Sequence, residues 1–134
     1  MPGTMLHACP MPRTQTSGSP FMRIVGPYGS LDASMVALHR DRFGSAPRER
    51  QQWYVGTDAY SGELLVQGSV DKSGTLWNLS SRHEGRGNAT EFVQRLAQTG
   101  LVRKLFVRGG KDDTERLLAF YRKIGFTRDP PPTR

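Results

Sequence analysis

The sequence predicts a single α/β domain built on a mixed sheet, and three stretches carry that prediction. From Gln51 the chain runs through three short segments of period-two patterning joined by tight turns, which is a β-meander. At Gly85-Arg86-Gly87-Asn88 a glycine loop passes directly into an amphipathic helix, and a further strand follows it, so the unit is strand, helix, strand. A second amphipathic helix ends at Phe120-Tyr121-Arg122-Lys123-Ile124-Gly125-Phe126. A right-handed crossover of this length requires its two strands to lie parallel, with the glycine loop at the carboxyl end of the first.

Residues 1–20 hold few apolar side chains among Pro2, Pro10, Pro12, Pro20 and several Ser and Thr, and are expected to form a mobile tail, with Met22 a possible start. Phe21 to Val25 is a short strand ended by Gly26-Pro27-Tyr28-Gly29. Ser30 or Asp32 then caps a helix through Phe43 that Gly44 stops, with Leu31, Met35, Leu38 and Phe43 on one face. His39 on this helix reads as a surface or structural histidine.

The meander comprises Gln52 to Thr57, a turn at Tyr60-Ser61-Gly62, Leu64 to Val70, a turn at Asp71-Lys72-Ser73-Gly74, and Thr75 to Ser80. Trp53 and Trp77 read as packing residues, with a substrate-stacking pair as the alternative. Asn88 followed by Glu91 has the capping-box pattern, and Ala89, Phe92, Val93 and Leu96 form the buried stripe of a helix running to Thr99, closed by Gly100. Val102 to Val107 is the next strand. Asp112 with Glu115 caps the last helix, whose stripe is Leu117, Leu118, Tyr121 and Ile124, and Phe126-Thr127 starts a final strand. Residues 129–134 form a Pro-rich C-terminal tail, leaving 21–128 as the domain.

With 134 residues there is room for one core and one site. A mean hydropathy of -0.55 with 36% hydrophobic residues suits a soluble protein, and no apolar run approaches the ~20 residues of a membrane span. No signal-peptide pattern opens the chain, and the lone Cys9 suits a reducing compartment, so a cytoplasmic location is expected. Cys9 and His7 read as incidental, and no His, Cys and carboxylate cluster has metal-ligand spacing, so no metal is expected.

The net charge of +7 is concentrated at one end: residues 100–134 carry 9 basic and 4 acidic residues, against 9 and 8 over 23–99. A basic end beside a glycine loop at a helix N-terminus suits a polyanion, either a coenzyme with a pyrophosphate or nucleic acid. Val107-Arg108-Gly109-Gly110-Lys111 makes a poor nucleotide-hydrolysis loop, because its first glycine is out of place and Asp112 stands where a magnesium-binding hydroxyl is needed.

The glycine loop opening a helix, then a strand, then a helix ending in Phe-Tyr-x-Lys-x-Gly-Phe together resemble the GNAT superfamily of N-acetyltransferases, over roughly residues 50 to 128. The resemblance implies a mixed, mostly antiparallel twisted sheet flanked by helices, with the parallel strand-helix-strand crossover forming the CoA cleft. It implies an acetyl-CoA donor, a primary amine acceptor and direct transfer in a ternary complex, by a monomer or homodimer.

Two loop registers fit, Arg82-x-x-Gly85-x-Gly87 and Glu84-x-x-Gly87-x-Ala89; the second puts Phe92 and Val93 on the buried face. In it Glu84 replaces the family's Arg or Gln, with Arg82 and Arg86 as compensating charges. The resemblance implies that amides from Gly85, Arg86, Gly87, Asn88, Ala89 and Thr90 hold the pyrophosphate. It implies too that Asn78, Leu79 and Ser80 border the pantetheine arm, with a backbone N–H near Leu79 facing the oxyanion. Tyr121 matches the family's general acid while also lying on the apolar stripe. The general base is open among Asp58, Glu63 and an ordered water, and Thr114 stands where many members have Asn. The alternative is a non-catalytic module of the same fold that binds nucleic acid or a protein partner through Arg103, Lys104 and Arg108.

Overall fold

The computed structural model describes residues 4–8, 21–45, 52–83, 87–107, 111–123 and 125–127. Its elements in chain order are β1 (Thr4–Ala8), β2 (Met22–Tyr28), α1 (Ala33–Phe43), β3 (Gln52–Asp58), β4 (Leu64–Val70), β5 (Thr75–Ser81), α2 (Asn88–Gln98), β6 (Lys104–Val107), α3 (Lys111–Lys123) and β7 (Phe126–Thr127). One seven-stranded sheet contains all the strands, in the order β2-β3-β4-β5-β6-β1-β7. Every pairing is antiparallel except β5 with β6.

The meander is held by carboxylates at its turns. Asp58 Oδ1 accepts the amides of Tyr60 and Ser61 at 2.8 and 2.9 Å, closing the β3–β4 turn. At the β4–β5 turn Asp71 accepts from the Ser73 and Thr75 amides at 2.9 and 3.0 Å and from the Trp77 indole at 2.9 Å. Partial burial opposes the charge on Asp71, but these bonds prevail and bring its carboxyl down to about 2. Trp77 therefore clamps a turn. Trp53 is fully buried against Met35 and Val55, so neither tryptophan belongs to a stacking pair.

The two faces of the sheet are covered separately. On one, Phe92, Val93 and Leu96 of α2 and Leu118 and Tyr121 of α3 pack with Tyr54, Val66, Leu76 and Phe126. On the other, α1 places Met35 against Trp53 and Val55, and Gln67 Nε2 donates to the Met35 carbonyl at 2.8 Å. Asp32 caps α1 through the Met35 amide at 2.9 Å, and Gly44 ends it in the left-handed conformation. His39 is buried, with Nδ1 2.7 Å from the Ser45 carbonyl, which is a structural role. Phe43 is exposed rather than on the buried face, its ring 4.6 Å from that of His39.

Three elements differ from expectation. Residues 4–8 are not tail: β1 inserts between β6 and β7, from Thr4 opposite Val107 to Ala8 opposite Phe126, and Leu6 is buried. The long-range pairing that makes TMLHA a strand leaves no local periodic signal. β2 does not stop at Gly26 but continues to Tyr28 through a register shift. It is an edge strand with one neighbour, so the missing N–H of Pro27 breaks no ladder. Gly26 has φ 142°, and a side chain there would come within 2.7 Å of the Trp53 carbonyl. The capping box also fails. The residue before α2 is Gly87 in the left-handed conformation, with no side-chain cap, and Asn88 is already helical. Glu91 pairs instead with Arg95 at 2.9 Å, one turn on, and Arg95 donates to the Met22 carbonyl at 2.7 Å. At the other end Gly100 and Leu101 donate to the carbonyls of Ala97 and Leu96, the glycine closure that was expected. Asp112 lies one residue inside α3, since the helix begins at Lys111. Ile124 and the 128–134 tail lie outside the described residues.

Candidate active site

A parallel pair that separates makes the cleft. β5 and β6 are in register only at Thr75 with Lys104 and Leu76 with Leu105. On the other side the β4–β5 register runs from Ser69 with Trp77 to Gln67 with Ser80, so Asn78 and Leu79 have no Cα partner in either neighbour. This is a bulge. Asn78 adopts φ 58°, and its side-chain amide donates to Ser69 Oγ at 3.0 Å. Asparagine tolerates this region better than most residues. The bulge therefore turns the backbone of 78–79 out of the ladder, at the place where β5 and β6 part.

Above the opening sits the N-terminus of α2, whose first N–H groups have no partner within the helix. Gly87 precedes it at φ 80°, and a Cβ at Gly87 would meet nothing within 4 Å. Among the described residues nothing fills the space beside that backbone.

These pieces share one cavity of about 460 Å³, lined by Leu79 and Ser81 from β5, Gly87 to Thr90 from the start of α2, Leu117, Phe120 and Tyr121 from α3, and Arg42 from α1. Tyr121 is 9% exposed, its ring edge-on to Phe126 at 6.2 Å and to Phe120 at 5.2 Å. Burial pushes its hydroxyl above the ordinary tyrosine range, against a smaller opposing pull from the Arg42 charge. A larger cavity, about 710 Å³, lies near Asp71, Lys72 and Arg103. It is lined by the buried Tyr54 but has no helix N-terminus, so the smaller one, which joins a buried hydroxyl to a helix N-terminus, is the chemical candidate.

The cavity thus brings together Leu79, Gly87, Asn88, Ala89, Thr90 and Tyr121 from the sequence-derived set. Asn78 and Ser80 contribute backbone beside it rather than side chains: the Asn78 amide is bonded to Ser69, and Ser80 is buried opposite Gln67. Arg82 is turned away, 3.7 Å from Glu63. Glu84, Gly85, Arg86 and the side chain of Thr114 lie outside the described residues.

Asp58 and Glu63 do not line this cavity. They border an adjoining one of about 230 Å³ with His83 and Glu91. Asp58 is held below its usual range by the Ser61 and Tyr60 amides, and Glu63 by His83, 2.9 Å away. Among the described residues no carboxylate faces Tyr121 across the cleft. No group of His, Cys, Asp and Glu among them could hold a metal, and none of their helices is long and apolar enough to cross a membrane.

Sequence reasoning missed Arg42. It lies in the last turn of α1, on the opposite face of the sheet from α2 and α3, and only the open gap beyond Leu76 brings it to Tyr121. Nothing local distinguishes it from Arg40.

No protein-family model and no curated protein matches the chain. Solved structures do. A Drosophila melanogaster protein superposes with a TM-score of 0.59 at 13% identity, over 95% of this chain and 48% of that one. An acetyltransferase assigned to the GNAT family, from Novosphingobium aromaticivorans, gives 0.58 at 16% identity over 96% and 59%. A GCN5-related N-acetyltransferase from Kribbella flavida gives 0.53 at 12% identity over 94% and 54%. The chain spans about half to three-fifths of the length of these proteins. The mixed seven-stranded sheet with one parallel pair, flanked by helices, superposes on these acetyltransferases along nearly the whole of this chain: the chain has the GNAT fold.

Proposed function

We propose that the chain is an acetyl-CoA-dependent N-acetyltransferase acting on a primary amine by direct attack in a ternary complex. The observation that carries this is the meeting, in one cavity, of the bulged β5 edge, the open N-terminus of α2 and the Tyr121 hydroxyl. The amides from Gly85 to Thr90 and the helix dipole suit the pyrophosphate of the donor. The unpaired edge at Asn78, Leu79 and Ser80 suits the amide-bearing pantetheine arm, which can extend the sheet where β6 has left it.

Transfer then needs little from the protein beyond position and polarity. A neutral amine attacks the thioester carbonyl, forming the N–C bond. The backbone N–H at Leu79 donates to the developing oxyanion. As the C–S bond breaks, its electron pair passes to sulfur, and Tyr121 gives that sulfur its proton. The proton lost by the amine leaves to water, because no described carboxylate lines the cavity. A hydroxyl kept neutral by burial is suited to donate at working pH.

The test is transfer of labelled acetyl from acetyl-CoA to a panel of primary amines, with Tyr121→Phe alongside. Transfer by the native chain that falls in the variant supports the reading. Donor binding without transfer to any amine contradicts it.

A further inference from the structure

We infer that Arg42 selects the acceptor, so that the amine used by this site carries a carboxylate close to its nucleophilic nitrogen, as an α-amino acid does. The inference rests on the transferase reading above and adds the class of acceptor to it.

Among the described residues lining the cavity Arg42 is the one basic side chain, and none is Asp or Glu. It enters from α1, while the groups suited to the donor's phosphates belong to α2 on the opposite face. The two anion-attracting elements are therefore separate, and a donor held at α2 leaves Arg42 for the other substrate. Among the described residues Arg42 forms no ion pair; its guanidinium lies 5.7 Å from the centre of the Phe43 ring. A planar guanidinium of this kind matches a carboxylate with two parallel N–H bonds.

The same arrangement disfavours diamines. A second ammonium would meet Arg42 with no carboxylate among the described lining residues to offset the repulsion. Among the described residues, the carboxylates Asp58, Glu63 and Glu91 border the adjoining cavity and are already engaged, with the Tyr60 and Ser61 amides, His83 and Arg95 respectively. Charge at this mouth thus points to an anionic acceptor.

The experiment compares kcat/KM for matched triplets: an α-amino acid, its amide and a diamine of equal length, for the native chain, Arg42→Lys and Arg42→Glu. The expected preference for the carboxylate over the amide is on the order of ten- to a hundredfold. It should shrink in Arg42→Lys and disappear or invert in Arg42→Glu, while acetyl-CoA affinity stays unchanged. A preference indifferent to Arg42→Glu overturns the inference, as does a loss of acetyl-CoA affinity in that variant, which would place Arg42 on the donor. Should no amine be acetylated, the transferase reading fails by itself. Calorimetric binding of the amino acid but not its amide to the CoA-loaded chain would then still uphold the anion site, and absence of that binding would overturn it.

Discussion

Phe126 stands edge-on to Tyr121 with ring centres 6.2 Å apart, and the same Phe126 is the register partner of Ala8 in β1. The N-terminal strand thereby supports the wall on which the candidate acid is mounted.

Removing β1 should therefore affect both stability and chemistry. A chain begun at Met22 loses the burial of Leu6 and uncovers one side of Phe126, which is fully buried in the native chain. Burial of one such side chain contributes about 1.5 to 3 kcal/mol, so a loss on the order of 3 kcal/mol or more is expected. Urea unfolding of the two chains measures it. Leu6→Ala in the full chain should reproduce about 2 to 5 kcal/mol. Equal midpoints would mean that β1 adds nothing to the sheet.

Tyr121→Phe removes one oxygen and keeps the ring, so its packing on Phe120 and Phe126 should persist. The expected result is a fall in kcat of roughly 10²- to 10⁴-fold with acetyl-CoA affinity unchanged. Steady-state kinetics and calorimetry on one preparation separate the two.

The raised Tyr121 hydroxyl also has a pH signature. Its folded pKa lies above the unfolded value, so the neutral form stabilises the fold fully below the unfolded value, about 10, and that contribution is lost as pH rises through the folded one. Unfolding midpoints from pH 8 to 11 should decline more gently in Tyr121→Phe than in the native chain.

Asp71 acts with the opposite sign. Its folded pKa of about 2 lies below the ordinary aspartate value, about 4, so its contribution is present above pH 4 and is lost as pH falls towards 2. Asp71→Asn should be less stable at neutral pH and should show a flatter acid limb in a pH series of unfolding midpoints.

At the bulge, Asn78→Gly should be tolerated, because glycine adopts φ near 58° without strain. Asn78→Val should cost about 1 to 3 kcal/mol and weaken acetyl-CoA binding, since a β-branched residue resists that conformation and pulls the strand back into register. Denaturation and calorimetry on both variants check this.

Legibility in the sequence followed range. The meander, the three helices, the Gly44 and Gly100 closures and the strand-helix-strand unit rest on local periodicity and turn chemistry, and they stand where that chemistry places them. β1 was opaque, because a five-residue strand flanked by Pro, Ser and Thr is made by pairing with residues about a hundred positions away. The helix start at Gly87 was misread for a subtler reason: Asn88 and Glu91 have the spacing of a capping box, but the left-handed glycine closes the turn and the Glu91–Arg95 pair takes the carboxylate. Tyr121 and the loop were legible as a motif. Arg42 was not, because only the gap between β5 and β6 connects α1 to that side of the sheet.

Calorimetric titration with acetyl-CoA, at two salt concentrations, of the native chain and of Gly87→Asp tests the central claim most directly. The variant has open space for its side chain, although φ 80° strains any residue with a Cβ, and it sets a carboxylate at the α2 N-terminus, so its fold is checked by circular dichroism. Micromolar binding by the native chain, weakened by salt and abolished in the folded variant, is the result expected of a donor site at this loop. No binding by a demonstrably folded native chain, or equal binding by the two, would contradict it.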